Sequence, residues 1–190
     1  MSEPTQPDNS KDQPGFSQEV QHSHVSARVP EKVVRGVFSN GLLALSGANE
    51  FALDFYQRIA KPFQVVARVI LPPAVMPRLI AAINDNIKNY TATFGPPPAL
   101  LTPATPAAPP PPVAEIYEEM KMSDEVAAGV FANGAMISHT QSEFCLDFIV
   151  NLFPRSVVSA RIYFAASQIP GLATSLTRSY QQFQQRGGPK

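Results

Sequence analysis

One stretch of this chain is written twice. Val33 to Tyr90 aligns without a gap with Val126 to Phe183, at a constant offset of 93 (126 − 33), and 16 of the 58 aligned positions are identical. Agreement is densest between Gly36-Val37-Phe38-Ser39-Asn40-Gly41 and Gly129-Val130-Phe131-Ala132-Asn133-Gly134. It is nearly as dense between Glu50-Phe51-Ala52-Leu53-Asp54-Phe55 and Glu143-Phe144-Cys145-Leu146-Asp147-Phe148. Both copies must carry the same elements in the same order. A unit of about 60 residues buries too little surface to be secure alone. The copies are therefore expected to pack on each other about a pseudo-twofold axis.

Within a copy the pattern changes from a period of two to a period near 3.6. Val33 to Phe38 is apolar and β-branched, which predicts a strand. Asn40-Gly41 and Asn133-Gly134 predict either a type I′ hairpin turn or a glycine-marked bulge in one longer strand. Leu42 to Leu45 pairs back, and Gly47-Ala48-Asn49 turns the chain again. From Glu50 to Phe55 the alternation is strict, with Phe51, Leu53 and Phe55 on the core side; Phe144, Leu146 and Phe148 repeat it. Val65 to Leu71 and Val158 to Phe164 follow as strands. Met76, Leu79, Ile80, Ile83, Ile87, Tyr90 and Phe94 then form one apolar helical stripe, kept in the second copy by Ile169, Leu172, Ala173, Leu176, Tyr180 and Phe183. Pro77 and Pro170 fall in the first turn, where proline is tolerated. The fold class is α+β: a tandem repeat of two β-β-β(-β)-α units, each antiparallel sheet covered by a C-terminal helix.

The rest of the chain divides by composition. Residues 1–30 are polar and proline-bearing and read as a disordered tail; 31–95 form the first repeat. Gly95 to Pro112 places nine prolines in 18 residues, so 96–112 reads as a stiff extended linker or a ligand for a polyproline-reading domain. Residues 113–122 have no counterpart in the first repeat. With Ile116, Tyr117 and Met120 at helical spacing, they read as a short amphipathic helix lying on a repeat or docking a partner. Residues 123–186 form the second repeat and 187–190 a tail.

Charge is balanced, with 15 basic and 15 acidic side chains. The first repeat is mildly basic, the flexible parts acidic, too weakly to imply a polyanion partner. One cysteine, Cys145, excludes an intrachain disulfide. No apolar run reaches membrane-spanning length and no secretory segment is evident, so a cytoplasmic protein is expected. Phosphate-cradling glycine loops, dinucleotide fingerprints and zinc-spaced cysteine pairs are absent from the sequence, and no cofactor is expected.

The run Phe-Ala/Ser-Asn-Gly, then Glu-Phe-x-Leu-Asp-Phe, then Ala-Arg-Val/Ile and a closing helix, resembles a bacterial family catalogued as domain of unknown function number 3467. Ile137-Ser138-His139-Thr140 and Glu143 to Phe148 carry the likeness best. The first repeat departs from it at Leu45-Ser46-Gly47. The family implies no activity. The element order alone is similar to the Whirly and transcriptional-coactivator fold, in which β-β-β-β-α units bind single-stranded nucleic acid.

Asp54 with Arg68, and Asp147 with Arg161, occupy consecutive strands at identical spacing. They read as cross-strand ion pairs that fix register, or as guanidinium forks offered to a carboxylate or phosphate. With Asn40, Gly41, Asn133 and Gly134 they are the structural or binding candidates. Glu50 and Glu143 do not form an acid–base pair with the aspartates, being four residues away along a strand. Ser138, His139 and Cys145 invite a nucleophile reading, but the first repeat has Leu45, Ser46 and Ala52 there. His22 and His24 make a poor metal site without a third ligand. The expectation is a non-enzymatic binding or scaffold protein that acts through a protein partner or self-association. The alternative is weak single-stranded nucleic-acid binding through Arg35, Arg58, Lys61, Arg68, Arg155 and Arg161.

Overall fold

A computed structural model describes residues 27–100, 112–152 and 155–187. The readings of residues 1–26, of 101–111 in the linker, of 188–190 and of His22 and His24 lie outside the described residues.

Each repeat is built on a three-strand antiparallel meander. Gly41–Ser46 (β2), Phe51–Gln57 (β3) and Phe63–Leu71 (β4) make the first. Gly134–His139 (β7), Glu143–Val150 (β8) and Val157–Ala165 (β9) make the second. The expected turn closes β2 onto β3, with Gly47 N–H donating to the Glu50 carbonyl at 2.9 Å. Pleating turns Phe51, Leu53 and Phe55 inward, each at most 1% exposed, and Phe144, Leu146 and Phe148 do the same. The duplication extends to an irregularity. The register slips between Phe55 and Tyr56 and again between Phe148 and Ile149, leaving Val66 and Ser159 as the extra residues of two matching bulges.

Val33 to Phe38 was expected as one strand, but Glu31–Val34 is a single helical turn (α1), matched by Asp124–Ala127 (α4). Only Val37–Phe38 (β1) and Val130–Phe131 (β6) are extended. Neither pairs within its own repeat. β1 runs parallel to β9, Val37 beside Ile162, and β6 runs parallel to β4, Val130 beside Val69. The crossing takes one residue: Ser39 N–H donates to Tyr163 of the other repeat (2.8 Å), and Asn40 N–H to Tyr56 of its own (3.2 Å). Ala132 and Asn133 repeat the step onto Ile70 and Ile149.

Asn40-Gly41 and Asn133-Gly134 are therefore neither hairpin turns nor bulges. A type I′ turn needs positive φ at both central residues, and none of these four residues has it. The asparagines instead cap the crossing, Oδ1 accepting at 2.7 Å from Arg58 N–H in one copy and from Asn151 N–H in the other. At Gly41 an added Cβ would lie 2.4 Å from the Tyr56 ring, which would have to move aside.

The end of the segment before the second repeat does have a counterpart among the described residues. Val113–Glu118 (α3) is helical, but Met120–Lys121 (β5) is a short strand alongside Phe63–Gln64. Arg28 bridges Val157 in the same parallel sense, 93 positions before Lys121 (121 − 28). The repeats thus begin earlier than residues 31 and 123.

The helices also exchange. Met76–Phe94 (α2) lies on β7, Ile169–Gln185 (α5) lies on β2, and the two helices touch each other. Each sheet is covered by a C-terminal helix, and that helix belongs to the other repeat. Tyr90 donates its hydroxyl to the Gln141 carbonyl at 2.7 Å and packs 5.3 Å from Phe144; Phe51 meets Phe183 at 5.0 Å. Phe55 reaches Phe148 at 5.5 Å, closing one core across both copies. A fragment holding residues 112–187 alone would leave the outer edge of β9 and the face of β8 bare. It is expected to run as a homodimer or as an unfolded chain, never as a folded monomer, in size-exclusion chromatography with light scattering.

Candidate functional site

Strand alternation puts Asp54 on the outer face of its sheet, directly opposite Arg68, and Asp147 opposite Arg161. Both pairs are bidentate: Nε donates to Oδ1 and Nη2 to Oδ2, each at 2.7 Å, in both repeats. Hydrogen bonding to the aspartate raises each arginine's pKa above its ordinary value, with burial opposing. The third arm leaves the repeat. Arg68 Nη1 donates to the Ala127 carbonyl and Arg161 Nη1 to the Val34 carbonyl, both at 3.3 Å. Each fork therefore locks its own strands in register and ties down the crossing segment of the other copy.

Gly36 and Gly129 make that contact sterically feasible. They follow the single helical turns at φ of 60° and 69°, as a helix-ending glycine does. A Cβ on Gly36 would lie 2.7 Å from Arg161 Cγ, and one on Gly129 would lie 3.1 Å from Arg68 Cγ. Between the forks is a cleft of about 310 Å³, lined by the arginine stems, these glycines, Val33 and Val126.

The two forks differ in what covers them. Tyr117 of α3 donates its hydroxyl to Asp54 Oδ2, and Arg68 Nη2 reaches the same hydroxyl at 3.4 Å. Burial pushes the Tyr117 pKa up to about 12, the hydrogen bond to Asp54 adding to the shift. Asp54 has no side-chain exposure, whereas Asp147 keeps 11%. Among the described residues no hydroxyl takes the Tyr117 position over Asp147. The Cys145 thiol lies 3.6 Å from Oδ1 on the other side, where the first repeat has Ala52.

The nucleophile trio does not converge. Ser138 and Cys145 are opposite each other on the outer face. His139 faces the other way, stacked 5.1 Å from Phe144, with Nδ1 3.4 Å from Asn86 Oδ1. Burial, followed by the Asp147 charge, raises the Cys145 thiol pKa, which disfavours the thiolate. Glu50 and Glu143 serve their own hairpins, accepting from Asn49 N–H and Thr140 Oγ1. Among the described residues no three His, Cys, Asp or Glu side chains gather as a metal site, and no helix is long and apolar enough to cross a membrane.

Sequence reasoning found the forks but missed Tyr117 as their partner and the crossing as their purpose. The single-turn pattern ending in Gly36 and Gly129 was the available signal.

Removing the carboxylate in Asp54→Ala leaves Arg68 without its partner. It is expected to cost about 3–5 kcal/mol in urea unfolding, against about 1.5–3 kcal/mol for Tyr117→Phe, which loses a hydrogen bond to a charged acceptor. Gly36→Ala is expected to cost at least about 1–2 kcal/mol for the left-handed backbone. Gly171→Ala, in α5 with nothing within 4 Å of the added Cβ, is expected to stabilise by up to about 1 kcal/mol. Tyr117 also gives a pH signature. Its raised folded pKa means that its contribution is complete below the ordinary tyrosine value near 10 and is lost as pH climbs toward 12. Ultraviolet titration should show a tyrosine ionising as pH approaches about 12, and that late step should vanish in Tyr117→Phe.

A protein-family model described as "Protein of unknown function (DUF3467)" matches the chain twice, over residues 1–97 and 102–189. No curated protein and no solved structure matches it.

Proposed function

We propose that this chain, which belongs to the DUF3467 family, is a non-enzymatic binding module that recruits a protein partner on the outer faces of its two sheets. One observation carries the reading. Phe38 and Phe131, equivalent residues of the two repeats, stand 39% and 45% exposed, and Met136 is 48% exposed beside Asp147 on the same kind of face. Both long helices are spent on the inner faces, so the outer ones are left for recognition. Exposed aromatic and methionine side chains on a sheet face offer apolar contact to a partner. The divided nucleophile trio and the raised Cys145 thiol support a role without catalysis. A reducing cytoplasmic setting agrees with a single unpaired cysteine.

Single-stranded nucleic acid is the second reading. It is supported by the phenylalanines as stacking surfaces and by Arg58, 6.0 Å from the Tyr56 ring. Of the cations expected to contact phosphate, Arg68 and Arg161 are held by aspartates and Lys61 by Glu119 at 3.0 Å. Arg35, Arg58, Arg155 and Lys61 are exposed.

The double substitution Phe38→Ser/Phe131→Ser is expected to keep the thermal transition and to lose the partners captured by the full chain from lysate. Ile59→Ser, at a loop position 72% exposed, should lose none. Capture of the same partners by the double variant would refute the sheet-face reading. Salt-sensitive anisotropy with labelled single strands, lost in the double variant, would favour nucleic acid instead.

A further inference from the structure

The two forks share one hydrogen-bonding geometry and differ in what lies over them. Each presents a carboxylate fixed by a two-pronged arginine, with matching distances in both repeats. In the first repeat a phenol from the same chain sits across Asp54 Oδ2 and Arg68 Nη2. That segment is acidic, with Glu115, Glu118 and Glu119 around Tyr117, and Glu119 pairs with Lys61 at the start of β4. In the second repeat Asp147 is also buried but keeps 11% side-chain exposure, where Asp54 has none. The corresponding end of β9 carries Arg28 and Arg155, both exposed and basic. The hydrogen-bonding groups and the flanking positive charge thus recur without a phenol over them among the described residues.

We infer that the Asp147–Arg161 fork is a docking site for a tyrosine side chain on an acidic segment of a partner protein, in the manner in which Tyr117 docks on Asp54–Arg68. The inference rests on the reading of the outer faces as protein-binding surfaces and names the chemistry of one contact on them. The phenol donates to Asp147 Oδ2, and acidic neighbours face Arg28 and Arg155. Cys145 Sγ lies 3.6 Å from Asp147 Oδ1, the other oxygen of the same carboxylate. A phenylalanine in place of the tyrosine fills the same space but cannot donate. The carboxylate is then covered without a new partner, which costs affinity.

The test uses the full chain and a labelled peptide with the sequence of residues 112–121. Anisotropy should show this peptide binding about tenfold or more tighter than its Tyr→Phe version, as a hydrogen bond to a charged acceptor implies. Cys145 is the chain's single cysteine, so alkylation by a maleimide locates the peptide without any substitution in the protein. Saturating tyrosine peptide should slow that reaction several-fold, whereas the phenylalanine peptide at the same concentration should not. Equal affinity of the two peptides would overturn the assignment, as would an unchanged alkylation rate at saturation. No peptide binding, with partner capture still lost in Phe38→Ser/Phe131→Ser, would overturn this inference and leave the sheet-face reading standing.

Discussion

Each aspartate–arginine fork joins three pieces of chain. The aspartate comes from the middle strand of a meander and the arginine from the next strand. The carbonyl on the third arm comes from the other repeat. Asp54 is wholly inaccessible and Asp147 nearly so, and a carboxylate at such depth is tolerable only when its charge is paired and its oxygens are hydrogen-bonded. The arginine meets that demand in full and has a donor to spare. The spare donor turns a local register clamp into a contact between the repeats. The left-handed glycines and the single helical turns are the conditions under which the crossing backbone can lie close enough to receive it.

Exchange of edges and helices explains how two small units reach a common core. A three-strand meander with one helix has an unpaired outer edge and a sheet face that a single helix covers poorly. Here β1 and β6 each extend the other repeat's sheet, while α2 and α5 cross to each other's edge strands. Aromatic contacts such as Phe51–Phe183 and Tyr90–Phe144 are consequently contacts between repeats. Using the long helices inwardly leaves the outer faces to the short segments α1, α3 and α4. Phe38 and Phe131, on the outer sides of the sheets, stay exposed and lie outside the common core.

The duplication is not perfectly even, and the unevenness falls on the site. Ala52 in one copy is Cys145 in the other, and Tyr117 closes one fork only among the described residues. Leu45-Ser46 in the first copy stands where Ser138-His139 stands in the second. His139 is accounted for by packing, since its ring fills the space between Phe144 and the first repeat's helix.

Much was legible in the chain itself. Strict alternation through Phe51, Leu53 and Phe55 determined which side of the meander is core, because pleating leaves no other solution. The 93-residue offset revealed two equivalent units, and the spacing of Asp54 to Arg68 placed opposite charges on neighbouring strands. Partnership was not legible. Val37-Phe38 looks like a strand whether it pairs with its own sheet or another, because propensity reports local backbone preference and carries no information about which edge is free. Asn-Gly likewise marks a sharp change of direction, and only the tertiary contacts made it a crossing rather than a hairpin. Tyr117 reads as one residue of a short acidic helix until the fold brings that helix to Asp54, which is 63 positions earlier. Local pattern thus determined the elements and their inner faces, and long-range packing decided which repeat each edge, helix and hydroxyl would serve.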